Sequence, residues 1–248
     1  MKVFVIIPAA GLGTRMVPAG ATAQGKTPSK QFLELDGLPI LVHTLAKFDA
    51  FPGVDEIVVA MRKPEADAFL PELKSHGFSK KMQVVEGGEH RQHSVANALA
   101  AIHAAEDDIV LIHDAVRPFV EEETIAAVIA AVKRAGAAIA GIPATDTIKQ
   151  VERTADGAVI RATIPREYIV QAQTPQGFRF GLLKKVFDDA IAEGFLGTDE
   201  ASLLERAGYP VEVVMGSPRN IKITTPADLE LAEFFIASTN RRRYSVTE

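Results

Sequence analysis

Val3-Phe4-Val5-Ile6-Ile7-Pro8-Ala9-Ala10-Gly11-Leu12-Gly13-Thr14-Arg15-Met16 is a short apolar run that ends in a loop of small residues. The run is apolar at every position, which is typical of a strand covered on both faces of a sheet. It is too short to span a membrane, and Pro8 and Gly11 interrupt it where a signal peptide would continue. We therefore predict that Val3–Ile7 is a buried strand followed by a tight loop.

Further apolar runs alternate with helical patterns along the first part of the chain. Besides Val3–Ile7, we predict strands at Glu56–Met61, Gln83–Val85, Ile109–His113 and Ala137–Ile142. The predicted helices between them are Ile40–Asp49, Pro64–His76, Gln92–Ala104 and Thr124–Arg134. This alternation implies right-handed crossovers, so the predicted fold class is α/β, a doubly wound, mostly parallel Rossmann-like sheet. Ligands bind beyond the carboxyl ends of such strands, which selects the loops after Ile7, Val85, His113 and Ile142.

The pattern changes after Pro143. Strands are predicted at Thr147–Glu152, Gly157–Thr163 and Tyr168–Gln173, which together suggest a β-arm at about residues 144–173 of a single domain spanning residues 1–248. Helices at Leu182–Glu193, Asp199–Ala207 and Pro226–Ala237 and a strand at Pro210–Met215 complete the prediction. Thr225 is suited to cap the last helix, with Pro226 at its first position.

Composition restricts the classes of function. The 248 residues carry a formal net charge of −5, which argues against nucleic acid as a partner. There is no cysteine, so disulfides, Cys-ligated metals and thiol nucleophiles are excluded. The histidines lie on different predicted elements without ligand spacing, which argues against a histidine metal site. We expect a cytoplasmic protein with no membrane partner.

The first loop is the strongest candidate for phosphate binding. Free N–H groups of its small residues can cradle phosphate oxygens, and Arg15 adds a fork of donors. The glycines alone leave a plain strand-to-helix turn equally open, and Met16 stands where a dinucleotide fingerprint needs its third glycine. Lys30 follows a loop at residues 17–29, and two cations here could neutralise a leaving pyrophosphate.

A formal P-loop match, Gly20-Ala21-Thr22-Ala23-Gln24-Gly25-Lys26-Thr27, lies inside that intervening loop. A true P-loop follows a strand directly and opens a helix. Here Pro18 precedes the match and Pro28 follows it, and Pro28 disfavours a helical Thr27. We therefore interpret the match as part of a flexible lid.

Two later motifs follow predicted strands. Gly87 and Gly88 permit a close backbone approach to a base or ribose, with Ser94 in the first turns of the next helix. Asp114 ends the fourth predicted strand at the ligand edge, where it could bind Mg²⁺ or a ribose hydroxyl. Arg117 could take a second phosphate, although an Asp–Arg pair that only stabilises the loop is the alternative.

Together these segments resemble the 2-C-methyl-D-erythritol 4-phosphate cytidylyltransferases of the non-mevalonate isoprenoid pathway. The resemblance covers nearly the whole chain and adds the motifs Lys30-Gln31, Gln173-Thr174-Pro175-Gln176, Thr198-Asp199-Glu200-Ala201 and Asn220-Ile221-Lys222-Ile223-Thr224. It implies that CTP and a small sugar-alcohol phosphate give a CDP-alcohol and pyrophosphate, with Mg²⁺ as cofactor. The substrate phosphate would attack the α-phosphorus of CTP directly.

The resemblance also implies a role for each matching residue. The implied catalytic residues are Arg15, Lys30, Arg166 and Lys222, and the implied nucleotide-binding residues are Ala9, Ala10, Gly11, Gly13, Gly87, Gly88, Ser94 and Asp114. Asp114 is also the implied metal ligand, and Arg117, Thr147, Thr174 and Thr198 would line the substrate site. The family is a homodimer whose β-arm reaches the partner's site, so Thr147 and Arg166 are expected to act in trans.

The chain departs from the family pattern at two points. The loop between Met16 and Lys30 is longer than usual, and Arg219 stands where an acid could have helped to hold metal. Three other functions stay open at this level. One is a ribitol 5-phosphate cytidylyltransferase, whose first loop usually reads Ala-Gly-Gly where this chain has Ala9-Ala10-Gly11. The others are a P-loop kinase or NTPase and a non-catalytic nucleotide-binding protein.

Overall fold

A seven-stranded sheet forms the centre of the protein in a computed structural model that describes residues 1–11 and 29–244, with side chains through Ser238. Its strands are β1 Val3–Pro8, β4 Glu56–Met61, β5 Lys81–Glu86, β6 Ile109–Ile112, β7 Ala137–Pro143, β10 Val170–Arg179 and β11 Glu212–Met215. Their order across the sheet is β11-β7-β10-β6-β1-β4-β5. The pairs β1–β4, β1–β6, β4–β5 and β7–β11 are parallel, which confirms the predicted mostly parallel α/β sheet.

Helices cover both faces of this sheet. They are α1 Ile40–Ala50, α2 Lys63–Ser75, α3 Arg91–Ala101, α4 Glu122–Ala135, α5 Phe180–Ala192, α6 Glu200–Arg206 and α7 Pro226–Tyr244. Val5 and Ile7 of β1 pack with Phe48 of α1, whereas Phe4 and Ile6 pack on the opposite face with residues of α3 and α5. Because both faces of β1 are buried, an uninterrupted apolar run is what this strand requires.

Strand β10 is longer than the sequence predicts. The strand predicted at Tyr168–Gln173 ends before Pro175, whereas β10 continues to Arg179 and runs antiparallel between β6 and β7. Pro175 is tolerated because the β7–β10 pairing shifts register between Ala172 and Gln176, where no ladder N–H is required.

A separate hairpin leaves the main sheet after β7. Its strands are β8 Ile148–Thr154 and β9 Gly157–Ile164, and a 3₁₀ turn at Arg166–Tyr168 leads back to β10. Residues 170–172, which the sequence prediction included in the arm, pair with β7 in the main sheet. A second small pair, β2 Glu34–Leu35 and β3 Leu38–Pro39, precedes α1.

The start of α7 agrees with the predicted cap. Asp228 donates its backbone N–H to the Thr225 hydroxyl and accepts the Thr225 N–H through Oδ2 at 2.8 Å, a reciprocal capping arrangement around Pro226. Within residues 1–11 and 29–244, no helix is long and apolar enough to cross a membrane.

Candidate functional site

A cleft lies at the carboxyl ends of β1 and β6, where the fold class predicts a ligand. It brings together residues from the loop after β1, the 3₁₀ turn at Lys30–Phe32, the start of α3, the loop after β6 and the segment before α7. The predicted site residues that line it are Ala9, Ala10, Gly11, Lys30, Gly88, Ser94, Asp114 and Lys222.

The loop after β1 is held against the turn that carries Lys30. Ala9 continues the strand by donating its N–H to Ala60 O at 2.7 Å. The buried Gln31 donates Nε2–H to Ala9 O at 2.6 Å, and Phe32 packs against Phe69 with ring centroids 5.4 Å apart. The backbone of Lys30 is therefore fixed beside the small residues that open the cleft.

The paired glycines after β5 pack tightly against the first loop. A Cβ added at Gly87 would overlap the Ala10 side chain, and one added at Gly88 would overlap His93. Gly88 donates its N–H to the hydroxyl of the buried Ser94 at 3.0 Å. Packing within the protein therefore requires glycine at both positions, and Ser94 holds the glycine loop in place, while contact of these glycines with a base or ribose stays a prediction.

Asp114 is the centre of a charged cluster. Its Oδ2 lies 2.8 Å from Lys222 Nζ and 3.4 Å from Arg117 Nε, and its Oδ1 lies 3.3 Å from Arg91 Nε. Burial by itself would raise the pKa of Asp114, but Arg91, Lys222 and Arg117 outweigh burial and hold that pKa far below its ordinary value. Asp114 is therefore an anion at neutral pH.

A chain of hydrogen bonds supports the loop that carries Asp114. The Asp114 N–H donates to Thr174 Oγ1 at 3.0 Å, and Thr174 Oγ1 lies 3.1 Å from His113 Nδ1. His113 Nε2 lies 3.0 Å from Arg117 O, and burial lowers the pKa of His113 to about 4. A neutral imidazole thus accepts from Thr174 and donates to Arg117. Thr174 was expected to line the substrate site. It is buried, and its hydroxyl is engaged in the hydrogen bonds to Asp114 and His113.

The segment that carries Lys222 is not part of a sheet. Asn220 anchors it by donating Nδ2–H to Thr174 O at 2.8 Å and by accepting from Arg117 Nη1 at 2.7 Å. Ile223 donates its N–H to Val116 O at 2.9 Å, which leaves Lys222 pointing at Asp114. Arg219 stacks on Phe235 at 4.4 Å, so the position where an acid might have held metal serves packing.

The structure does not bring every predicted residue into the cleft. Arg166 and Thr147 lie exposed at the base of the hairpin, and Thr198 is exposed before α6; none of them lines the cleft of its own chain. The predicted residues Gly13 and Arg15 lie outside the described residues, as does the P-loop match at 20–27.

Three residues of the site had no predicted role. Gln31 fixes the first loop, and Arg91 joins Asp114 to Glu200, with Arg91 Nη1 at 2.6 Å from Glu200 Oε1. Gln31 and Glu200 belong to motifs that carry the family resemblance. The motifs do not indicate what these side chains contact, because each acts through a contact with a distant segment.

Comparison with known proteins shows the family of this chain. The model of the 2-C-methyl-D-erythritol 4-phosphate cytidylyltransferase family matches residues 3–238. The protein of that name from Acidobacterium capsulatum is 57% identical over 98% of this chain and 100% of its own length. A solved 4-diphosphocytidyl-2C-methyl-D-erythritol synthase from Anaerococcus prevotii is 30% identical with a TM-score of 0.80, covering 95% of this chain and 96% of its own. The Francisella tularensis cytidylyltransferase structure is 37% identical with a TM-score of 0.75, covering 94% and 99%. The chain belongs to the 2-C-methyl-D-erythritol 4-phosphate cytidylyltransferase family.

Proposed function

We propose that the protein transfers a cytidylyl group from CTP to the phosphate of 2-C-methyl-D-erythritol 4-phosphate. A phosphate oxygen of the acceptor attacks the α-phosphorus of CTP, and the bond to the β-phosphate oxygen breaks as pyrophosphate leaves. The products are 4-CDP-2-C-methyl-D-erythritol and pyrophosphate. The proposal includes a cytoplasmic location, because the reaction consumes the CTP pool.

The observation that carries this proposal is the cluster of cations around Asp114 beside the small-residue loop. Arg91, Arg117 and Lys222 lie against one carboxylate, and Lys30 lines the same cleft. Both proposed substrates are anions, so their approach requires positive charge placed in advance. A cleft that carries several cationic side chains is better suited to nucleotidyl transfer between two anions than to a reaction of neutral substrates.

The proposed roles follow this geometry and the family motif. Ala9, Ala10, Gly11 and Gly88 contact the nucleotide, and Lys30 together with Arg15 neutralises charge that develops on the leaving pyrophosphate. Lys222 holds the acceptor phosphate, with Asp114 fixing the ammonium group and Arg117 holding Asp114. In this assignment Ser94 and Thr174 do not contact substrate, and they hold the glycine loop and the Asp114 loop in place.

We propose that Mg²⁺ is brought by the triphosphate. Within residues 1–11 and 29–244, no group of three or more His, Asp or Glu side chains is arranged to hold a metal ion. Both oxygens of Asp114 contact cationic side chains, so these residues do not form a metal site by themselves. Mg²⁺ commonly binds through substrate phosphates, water and one or two carboxylates, and Asp114 is a carboxylate that lines the cleft. The ion would offset the negative charge of the triphosphate.

The proposed reaction is tested by measuring pyrophosphate release for a matrix of nucleotides and acceptors. CTP with 2-C-methyl-D-erythritol 4-phosphate is expected to give turnover, and ATP, GTP or UTP in its place at least about tenfold less. Ribitol 5-phosphate is the matched alternative acceptor. Turnover with ribitol 5-phosphate alone would contradict the proposed acceptor, and CTP binding without pyrophosphate release for any acceptor would identify a non-catalytic nucleotide-binding protein.

We further propose that the protein is a homodimer formed through the hairpin. Val151 and Ile160 face each other across β8 and β9, yet they are 45% and 60% exposed in the single chain. A lone two-stranded hairpin is marginally stable in water, so exposed apolar pairs of this kind are expected to be buried against another protein surface. A second copy that covers the hairpin would also bring Arg166 and Thr147 towards the neighbouring cleft.

The dimer proposal predicts complementation between two inactive variants. In a heterodimer purified through two different tags, one protomer carries Arg166→Ala and the other carries Lys222→Ala. If Arg166 acts in trans, one site has both defects and the other is intact, so about half of the wild-type activity should return. In the matched control, Arg161→Ala replaces Arg166→Ala. Arg161 is an exposed arginine on the same hairpin. Continued inactivity of the heterodimer would show that Arg166 acts on its own chain.

A further inference from the structure

The ion pair between Arg91 and Glu200 is a largely buried charged contact that the proposed roles leave unexplained. Arg91 Nη1 lies 2.6 Å from Glu200 Oε1, and the Glu200 side chain is 2% exposed. The same guanidinium group reaches Asp114 through Nε at 3.3 Å. One arginine therefore bridges two carboxylates, only one of which faces Lys222.

This bridge connects a segment assigned to the nucleotide with a segment assigned to the acceptor. Arg91 opens α3 directly after the glycine loop that is assigned to the nucleotide, and Glu200 opens α6 beside Thr198 on the acceptor side. Gln92 strengthens the connection by accepting the Gly197 N–H at 2.8 Å and donating to Phe195 O at 3.0 Å. The nucleotide side and the acceptor side are thus joined at the first turn of α3.

Glu200 is held in an environment that is unfavourable to a carboxylate. Burial raises its pKa above the ordinary value, and Arg91 offsets only part of that effect. Its second oxygen, Oε2, is buried without a hydrogen-bond partner among the described residues. Buried ion pairs often contribute less to stability than apolar side chains of similar size, so stability alone is a weak reason to place a glutamate here.

We propose that Glu200 is a positioning residue for cytidylyl transfer, acting through Arg91 to set the orientation of the Asp114 carboxylate. This inference rests on the proposed function. With Glu200 charged, Arg91 is shared, and it contacts Asp114 through Nε alone. Without that charge, the whole guanidinium fork is released to Asp114, and a two-pronged Arg–Asp pair would turn the carboxylate away from Lys222. Lys222 would then lose the contact that directs it towards the acceptor phosphate.

The proposal predicts a specific pattern for two substitutions of Glu200. Glu200→Gln keeps the shape and removes the charge, and it should lower kcat by about tenfold to a hundredfold with KM for CTP changed by less than about threefold. Glu200→Asp keeps the charge on a shorter side chain and should retain more activity than Glu200→Gln. A residue that serves packing alone gives the opposite order, because glutamine fills the site and aspartate leaves a cavity.

The experiment measures pyrophosphate release for wild type, Glu200→Gln, Glu200→Asp and Arg91→Lys, with thermal melting to establish that each variant is folded. Glu205→Gln, an exposed glutamate on the same helix, is the matched control and should equal wild type. Arg91→Lys keeps the charge but cannot hold both carboxylates through one fork, so Asp114 loses its fixed orientation and a similar fall in kcat is expected even if Glu200→Gln proves unstable. The positioning role would be overturned if folded Glu200→Gln had the kcat of wild type, or if it were more active than Glu200→Asp. Either result would leave the proposed function standing. Lack of turnover by the wild type would overturn the proposed function and this inference with it.

Discussion

Lys30→Ala should lower kcat by at least about a hundredfold, whereas Lys26→Ala should leave it within about threefold of wild type. Lys30 lines the cleft beside Ala9 and Gly11, and its turn is fixed by the bond from Gln31 Nε2 to Ala9 O. An ammonium group held there can stabilise charge as pyrophosphate leaves. Steady-state pyrophosphate release with CTP and methylerythritol phosphate measures the effect.

The comparison of the two lysines separates two readings of the same stretch of sequence. Lys26 belongs to the formal P-loop match, and its neighbours Pro18 and Pro28 do not suit the strand-to-helix context of such a loop. Loss of nucleotide binding in Lys26→Ala together with normal turnover in Lys30→Ala would establish the P-loop reading. Because the buried contacts of this turn are made by Gln31 and Phe32, Lys30→Ala is expected to melt within a few degrees of wild type.

The sheet could be predicted from the sequence wherever a strand is buried on both faces. Val3–Ile7 and Ile109–Ile112 are apolar at every position because helices cover both sides of β1 and β6. β10 could not be predicted to its full length, since Pro175 is a strand breaker in most settings. Its tolerance depends on the register shift against β7, which is a property of pairing between distant segments.

The same distinction holds for the site: residues marked by their position after a strand could be predicted, and contacts between distant segments could not. The loop Ala9-Ala10-Gly11 and the acid Asp114 could be predicted because each follows a strand at the ligand edge of the sheet. The link from Arg91 to Glu200 joins residues 109 positions apart, and no periodicity or spacing records such a contact. Thr174 shows the converse, because a residue expected to line the substrate site instead bonds to Asp114 N and His113 Nδ1.

Asp114→Asn is expected to destabilise the folded protein by about 3–5 kcal/mol at pH 7 and to lower kcat by at least about a hundredfold. The substitution leaves Arg91, Arg117 and Lys222 close together with their central anion removed. The pKa of Asp114 is lowered in the folded state, so its contribution to stability is complete above the ordinary value of 3.8 and is lost as pH falls below it. Wild type and variant should therefore differ by a constant amount between pH 5 and pH 7, where urea denaturation measures the free energy of unfolding, and should converge below about pH 4.

A soluble anion distinguishes this electrostatic cause from a general packing defect. Pyrophosphate binds the same cations in the folded state, so it should raise the melting temperature of Asp114→Asn more than that of wild type. Asp107→Asn is the matched control, because Asp107 is 80% exposed and pairs with Arg179 at the surface. That change should alter the free energy of unfolding by less than about 1 kcal/mol. An equal response of Asp114→Asn and wild type to pyrophosphate would contradict the view that Asp114 and the substrate phosphates neutralise the same three cations.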